Sequence, residues 1–291
     1  MEQSTVSRPY RYFPVNINDT SILSSVELLD RSLILGQLDS QLREKLTGLV
    51  IEQTLDSTNS ALQRIDAEQQ HGRAILAEHQ TAGRGRRGRH WHSPEGGNLY
   101  LSLGWRFSQS MVDLGCLPLV VALSAAQALT RSGLEGHRIK WPNDLLLDNK
   151  KLCGCLVEVQ GDAKGPCHAV LGIGINIRMP ASQAATAIDQ PWTDLQSHLP
   201  DCSRNHLAAL LLEEMLVNLS LFAAKGFAPF TEQWEQLDAL KDRRVDVAAG
   251  NRILHGIVAG IDNDGALRLD TGREILSLHS GEVSIMPLCS E

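Results

Sequence analysis

The period of apolar and polar positions changes several times along this chain, and each change marks an element. VIEQTLD (50–56) sets β-branched and apolar residues ahead of a polar stop, which predicts a strand. STNSALQRIDAEQ, which follows, has helical spacing with Ser57 or Thr58 as its cap. AILAEH (74–79) predicts a short strand, and NLYLSLGWRF (98–107) alternates clearly enough to predict another. LPLVVALSAAQALTRSG (117–133) returns to helical spacing and ends on Gly133, a usual helix terminator. RIKWPNDLLLDNKKLCGCLVEV (138–159) reads as two strands whose turn is supplied by Asp148 and Asn149. HAVLGIGINI (168–177) reads as a strand apolar on both sides, RMPASQAATAIDQPW (178–192) as a loop, and NHLAALLLEEMLVNLSLF (205–222) as a long amphipathic helix.

The two ends have a different texture. Residues 1 to about 46 combine a polar, proline-containing lead with SSVELLDRSLILGQLDSQLREKL, helical at least in part. Beyond residue 238 the chain becomes a run of short strands with turns such as Asp264-Gly265, which predicts a small barrel of its own. The expected class is α+β, a mixed sheet with helices and a β-barrel appended. The expected units are 1–46, 47–237 and 238–291.

Composition narrows the partners. The 43% of hydrophobic and 21% of charged residues are ordinary for a chain that buries a core. Lys and Arg number 27 against 34 Asp and Glu, a net charge of −7, so no global field draws the chain to nucleic acid. No apolar run reaches the roughly 18 residues of a membrane span, and the N-terminus has no signal-peptide core. Six cysteines without a C-x-x-C pair or zinc spacing predict reduced thiols and a cytoplasmic protein. His90 and His92 sit two apart with no third ligand in sight, so no metal site is expected there.

Against that acidic background, QTAGRGRRGRHWH (80–92) is the densest basic cluster. Gly83, Gly85 and Gly88 satisfy G-x-G-x-x-G, but Pro94, Gly96 and Gly97 break the helix that a dinucleotide-binding fingerprint needs next. No P-loop motif occurs. A nucleic-acid arm would want a companion basic surface and interleaved aromatics, and only Trp91 is present. A solvated basic loop remains the plain alternative. Chemically, glycines allow close backbone approach to a small anion and guanidiniums grip it bidentately, so the loop suits a phosphate or carboxylate that it would close over.

Three further motifs accompany it. KWPND (140–144) offers a cation, a rigid corner, an amide and a carboxylate, with Pro142 directing Lys140 and Asn143 toward the strand end. KLCGCLVE (151–158) places Lys151 after a turn, beside Gly154, though turn lysines such as Lys150 and Lys151 are commonly just solvated. Gly172 and Gly174 in GIGIN (172–176) leave room for a flat ligand or another backbone, or serve packing alone. Cys153 and Cys155 read as small hydrophobes. No Ser/His/Asp or Cys/His set stands out as a nucleophilic device.

In their order, DSTN, QTAGRGRRGRHW, KWPND, KLCGCLVE and GIGIN resemble the biotin–protein ligase family from about Val50 to the C-terminus. The resemblance implies an ATP-dependent enzyme that makes biotinyl-5′-AMP and transfers biotin to a lysine of the biotin carboxyl carrier protein of a carboxylase such as acetyl-CoA carboxylase, with Mg²⁺ on the nucleotide. It implies a catalytic domain of the biotin/lipoate ligase type followed by an SH3-like barrel. By the same resemblance Ser57, Thr58, Asn59 and Gln80 line the biotin end, and Arg84, Gly85, Arg86, Arg89 and Trp91 close over the ligands. Lys151 lies against the carboxylate and α-phosphate with Lys140 and Asn143 nearby; Lys151, Arg86 and Lys140 are the catalytic candidates, and Asn176 is a phosphate- or metal-side polar group.

Residues 8–39 resemble only the tail and connector of the winged helix-turn-helix found in bifunctional members, and no basic recognition helix is visible. DNA is therefore not an expected partner, although a biotin-responsive repressor of biotin synthesis genes is the reading of another class. A lipoate-type protein ligase is the neighbouring chemical alternative. A homodimer through the central sheet is compatible with the resemblance.

Overall fold

A computed structural model describes residues 27–161, 165–180, 188 and 190–285. The described chain forms α1 (Arg31–Gln37), α2 (Ser40–Arg43), β1 (Gly48–Leu55), α3 (Thr58–Gln63), β2 (Arg73–Gln80) and β3 (Leu99–Phe107). It continues with α4 (Leu117–Arg131), β4 (Arg138–Lys140), β5 (Asp144–Leu147), β6 (Lys150–Gly161), β7 (Cys167–Ile175), α5 (Arg204–Lys225) and α6 (Thr231–Leu237). Five short strands close it: β8 (Arg244–Ala249), β9 (Arg252–Ile261), β10 (Leu267–Asp270), β11 (Ile275–Leu278) and β12 (Glu282–Ile285).

The main sheet has seven strands in the order β1-β2-β3-β7-β6-β5-β4, with β1 and β2 parallel and the other neighbours antiparallel. Alternation on β2 sorts its two faces. Ala74 and Leu76 join the large core with α4 and α5, whereas Ile75 packs with Leu62 of α3 and Val170 of β7. The cleft described below opens on the α3 face.

Three local expectations change. The helix after β1 stops at Gln63 and resumes only as a 3₁₀ turn over Ala67–Gln69. Ser57 occupies its cap position but makes no side-chain capping bond. The stretch from Arg138 is three strands, not two: Lys140 to Asn143 form a tight turn, closed by the Asn143 N–H donating to the Lys140 carbonyl (3.2 Å), with Trp141–Pro142 cis. The second turn is as expected, since Asp148 and Asn149 both have positive φ (51° and 59°), the conformation of a two-residue hairpin turn with right-handed strand twist.

The boundary at residue 46 does not separate bodies. Leu29, Ile34 and Leu38 enter the same core as α5, while residues 1–26, on which most of the connector reading rests, lie outside the described residues. The terminal strands form an antiparallel sheet in the order β11-β10-β9-β8-β12, consistent with an SH3-like module. No pairing of β11 with β12 closes it into a full barrel among the described residues. Val245, Val247, Leu267 and Val283 continue the main core, and the Trp141 indole N–H donates to the Gly265 carbonyl (2.9 Å), joining the KWPN turn to this sheet. Met111–Arg131 and Arg204–Lys225 are long and apolar enough to cross a membrane, which the reading by unbroken apolar runs passed over; both are mostly buried within this fold.

Candidate active site

One cleft gathers residues from five of the motifs and from the terminal sheet. Its floor is the pair Gly154 and Gly174, opposite each other on β6 and β7. The Trp91 indole lies across that pair. A Cβ on Gly174 would come within 2.6 Å of the ring, and one on Gly154 within 2.8 Å, so both positions must be glycine for the ring to sit there. The space expected for a flat ligand or another backbone is thus filled by a side chain. The Trp91 Nε1 is buried there without a partner.

Beside the indole stands Lys151, its Nζ 5.3 Å from the ring centroid and 2.8 Å from Asp144 Oδ1. Lys151 is not a solvated turn lysine: only 16% of its side chain is exposed. Lys140 also lines the cleft, and burial, only partly offset by Asp144 and aggravated by Lys151, holds its ammonium below the usual lysine range. Burial likewise lowers the Arg86 guanidinium, with Arg87 adding to the effect, yet an arginine stays charged. Arg86 donates to Asn143 Oδ1 (2.9 Å), and the same amide donates to the Cys155 carbonyl (2.6 Å), which fixes Asn143 between loop and sheet.

The other end of the cleft is neutral and buried. Gln80 Oε1 accepts from the Thr58 N–H (2.9 Å), and its Nε2 donates to Ser93 Oγ (3.1 Å). Ser102 Oγ lies 2.7 Å from Thr58 Oγ1 and 2.5 Å from Asn59 Oδ1. The Asn59 amide sits directly over Gly172, leaving no space for a Cβ, and donates to Glu158 Oε2 (2.9 Å). Ser57, freed from capping, completes this wall at 3% exposure.

The glycine–arginine loop is tied on both flanks. Arg84 donates to Glu158 and also to Ser60 and Gln63 of α3. Gly85 N–H donates to the Arg89 carbonyl (2.8 Å), and Trp91 N–H to the Gly83 carbonyl (2.9 Å), so the loop folds on itself. Arg89 pairs with Glu282 of β12, and Arg87 lies 3.8 Å from the same carboxylate. The Arg89 hydrogen bond, with both guanidiniums adding to it, holds the Glu282 carboxyl below its ordinary range.

One expected site residue is placed elsewhere. Asn176 is outside the cleft lining: its amide donates to the carbonyls of Lys151 (3.3 Å) and Thr193 (3.2 Å), so it anchors the backbone of Lys151 from behind. Asp144, Glu158 and Glu282 were missed as site residues. The first had a signal in KWPND, whereas Glu158 and Glu282 had none, because each is recruited by an arginine distant in sequence.

The chain is similar to known proteins. Residues 50–176 match the model of the biotin/lipoate A/B protein ligase family, and residues 242–286 match that of the biotin protein ligase C-terminal domain. The bifunctional ligase/repressor BirA of Escherichia coli is 39% identical over 265 residues, covering 91% of this chain and 80% of that one. The biotin–[acetyl-CoA-carboxylase] ligase of Mycobacterium tuberculosis is 32% identical, covering 88% of this chain and 98% of that one. The biotin protein ligase of Aquifex aeolicus, solved in complex with biotin and ATP, superposes with a TM-score of 0.69 at 28% identity, covering 83% of this chain and 99% of that chain. The chain belongs to the biotin–protein ligase family.

Proposed function

We propose that this cleft joins biotin to the AMP moiety of ATP and then to a carrier lysine. The protein is an ATP-dependent biotin–protein ligase; the roles of its residues are as follows. A biotin carboxylate oxygen attacks the α-phosphorus of ATP, the bond to the β-phosphate breaks, and pyrophosphate leaves. The ε-amine of a lysine on a biotin carboxyl carrier domain then attacks the acyl carbon of biotinyl-5′-AMP, loses a proton and displaces AMP.

Two anions meet in the first step, so the protein has to supply positive charge. Lys151, Arg86 and Lys140 converge on the cleft, and that convergence over the Gly154–Gly174 floor is the observation that carries the reading. A well-placed donor contributes about 2.7–4 kcal/mol to such a transition state. Thr58, Asn59, Gln80 and Ser57 offer amides and hydroxyls to the ureido ring, which presents two N–H donors and one carbonyl. Arg84, Gly85 and Trp91 form the cover that keeps water from the mixed anhydride. Asn143 braces Arg86, and Asn176 braces Lys151.

Among the described residues no three His, Cys, Asp or Glu side chains group as a metal site. Asp144 is a cleft carboxylate that fits a Mg²⁺ arriving on the nucleotide, whose chemistry would be to neutralise phosphate charge. Its present partner is Lys151.

Five described cysteines are free thiols, in keeping with action in the cytoplasm. β5 pairs with β6 only as far as Gly154, and the continuing edge of β6 is where a second copy would extend the sheet into a homodimer.

The test is the intact mass of an apo carrier domain incubated with the protein, MgATP and either biotin or lipoate. The reading expects a biotinyl mass increment that requires ATP and does not appear with lipoate. A lipoyl increment would support the lipoate-type alternative, and no increment with no pyrophosphate would end both.

A further inference from the structure

Behind the cleft, three buried residues far apart in sequence meet in the interior: Glu78 of β2, Asn98 just before β3, and Arg204, the first residue of α5. They are 3%, 0% and 4% exposed, so this is a buried ion pair that also holds the main chain at Asn98. Arg204 Nη2 donates to Glu78 Oε2 (2.8 Å) and to the Asn98 carbonyl (2.8 Å). Glu78 Oε1 accepts the Leu29 N–H (2.7 Å). Asn98 Oδ1 accepts the N–H of Ile177 (2.8 Å) and of Arg178 (3.3 Å).

A buried charge pair is a poor way to stabilise a fold, since apolar side chains of similar volume commonly do as well. What this pair does have is reach. Gln80, which holds the Thr58 backbone, lies two residues beyond Glu78 on the same strand. Gly96 N–H donates to the Glu78 carbonyl (3.1 Å), fixing the loop that carries Ser93, the other partner of Gln80. Asn176, which anchors the Lys151 carbonyl, lies just before the two amides that Asn98 grips. The guanidinium therefore holds the exit of β2 through Glu78 and the main chain at Asn98, whose side chain in turn holds the exit of β7, and each exit carries a residue that sets one end of the cleft.

We propose that Arg204 is a positioning residue for the ligase reaction, fixing Gln80 through Glu78 and Lys151 through Asn98 and Asn176. The inference rests on the ligase reading above. The clamp acts on geometry alone: Arg204 is not among the residues that line the cleft, and a displacement of about 1 Å at a reacting centre costs up to ~100-fold in rate.

The experiment uses the full chain and two variants. The double variant Arg204→Met/Glu78→Leu removes both charges and leaves no buried ion unpaired. Arg204→Lys keeps the charge but has a single ammonium for the three acceptors that the guanidinium bridges, the Glu78 carboxylate and the carbonyls of Asn98 and Glu27. Pyrophosphate release is measured against biotin concentration well below each thermal midpoint. The expected result is a rise in the KM for biotin together with a fall in kcat of about ten-fold or more in the double variant, and a smaller change of the same kind in Arg204→Lys.

A merely structural role would lower the folded fraction, and with it the apparent kcat, while leaving KM unchanged. Wild-type KM and kcat in the double variant would overturn the proposal. If the double variant does not fold, Arg204→Lys decides alone, and wild-type constants there would overturn it equally. A wild-type protein that releases no pyrophosphate would instead end the ligase reading itself, and the positioning role with it.

Discussion

The ammonium of Lys151 lies 2.8 Å from the carboxylate of Asp144, across the hairpin of β5 and β6, with both side chains at most one-fifth exposed. The pair orients the lysine and at the same time masks its charge. Removing the lysine leaves Asp144 facing the incoming phosphates unpaired. Lys151→Ala should therefore slow pyrophosphate release by about 10²–10³-fold, the usual loss for one preorganised donor. Asp144→Asn keeps the charge and loses the orientation, so a smaller loss of about ten-fold is expected. Pyrophosphate release in folded variants checks both, and a wild-type rate in Lys151→Ala would remove that residue from the chemistry.

Trp91 seated on Gly154 and Gly174 gives a second test. In Gly174→Ala the new methyl would lie about where the indole nitrogen edge is now, with 2.6 Å between Cβ and ring. The indole has to leave, and it takes the loop with it. The expected outcome is red-shifted tryptophan emission in the free protein and faster escape of biotinyl-5′-AMP, both read directly by fluorescence and by adenylate retention on a desalting column. An unchanged spectrum would mean that the ring does not rest there in solution.

How far the sequence carried is visible in these residues. Ser57, Gln80, Arg86, Lys140 and Lys151 are all found lining one cleft, because each sits in a short motif at a strand end, where local pattern and position coincide. The faces of β2 were not legible in the same way, since Ala74, Ile75 and Leu76 are all apolar and only the packing sends Ile75 to the α3 side. Glu282 was not legible, since its role arises from packing a strand near the C-terminus against a loop almost two hundred residues earlier. The carbonyls that the Asn176 amide holds were not legible for a related reason: an asparagine two residues after a glycine has the same local signature whether it faces a ligand or holds a neighbouring carbonyl. The three-stranded form of Arg138 to Gly161 escaped because one Trp-Pro step turns the chain within four residues.

Glu282 supplies a pH-dependent prediction. Its folded-state carboxyl is held below the ordinary value of 4.5, chiefly by the Arg89 hydrogen bond. A group whose folded pKa is depressed contributes stability above its unfolded pKa and loses it as pH falls through the folded value. The thermal midpoint of the wild type should therefore exceed that of Glu282→Gln near neutral pH, and the difference should vanish on acidification below the carboxylate range. At neutral pH the variant should also be cut faster by trypsin at Arg84 to Arg89, because the loop loses its tie to the terminal sheet. A pH-independent difference would show that the carboxylate acts by shape and not by charge.

The thiols bear on which acyl-transfer chemistry is in use. A cysteine nucleophile must reach its thiolate, and burial works against that here. It pushes Cys116 up to about 12, with Asp264 and Asp262 adding to the effect, and Cys202 up to about 11. Cys153 is fully enclosed and is raised as well, first by burial and then by its neighbour Cys155. Cys155 is the thiol that borders the cleft, and it is 3% exposed, held by Asn143 through its own backbone N–H and carbonyl. Transfer through an adenylate needs none of them. Treatment with iodoacetamide at neutral pH should leave biotin transfer to the carrier largely intact, and Cys155→Ala should retain both adenylation and transfer. A covalent acyl-enzyme mass that disappears in Cys155→Ala, with transfer lost alongside it, would instead establish a thioester route and displace the direct attack of the carrier lysine on the mixed anhydride.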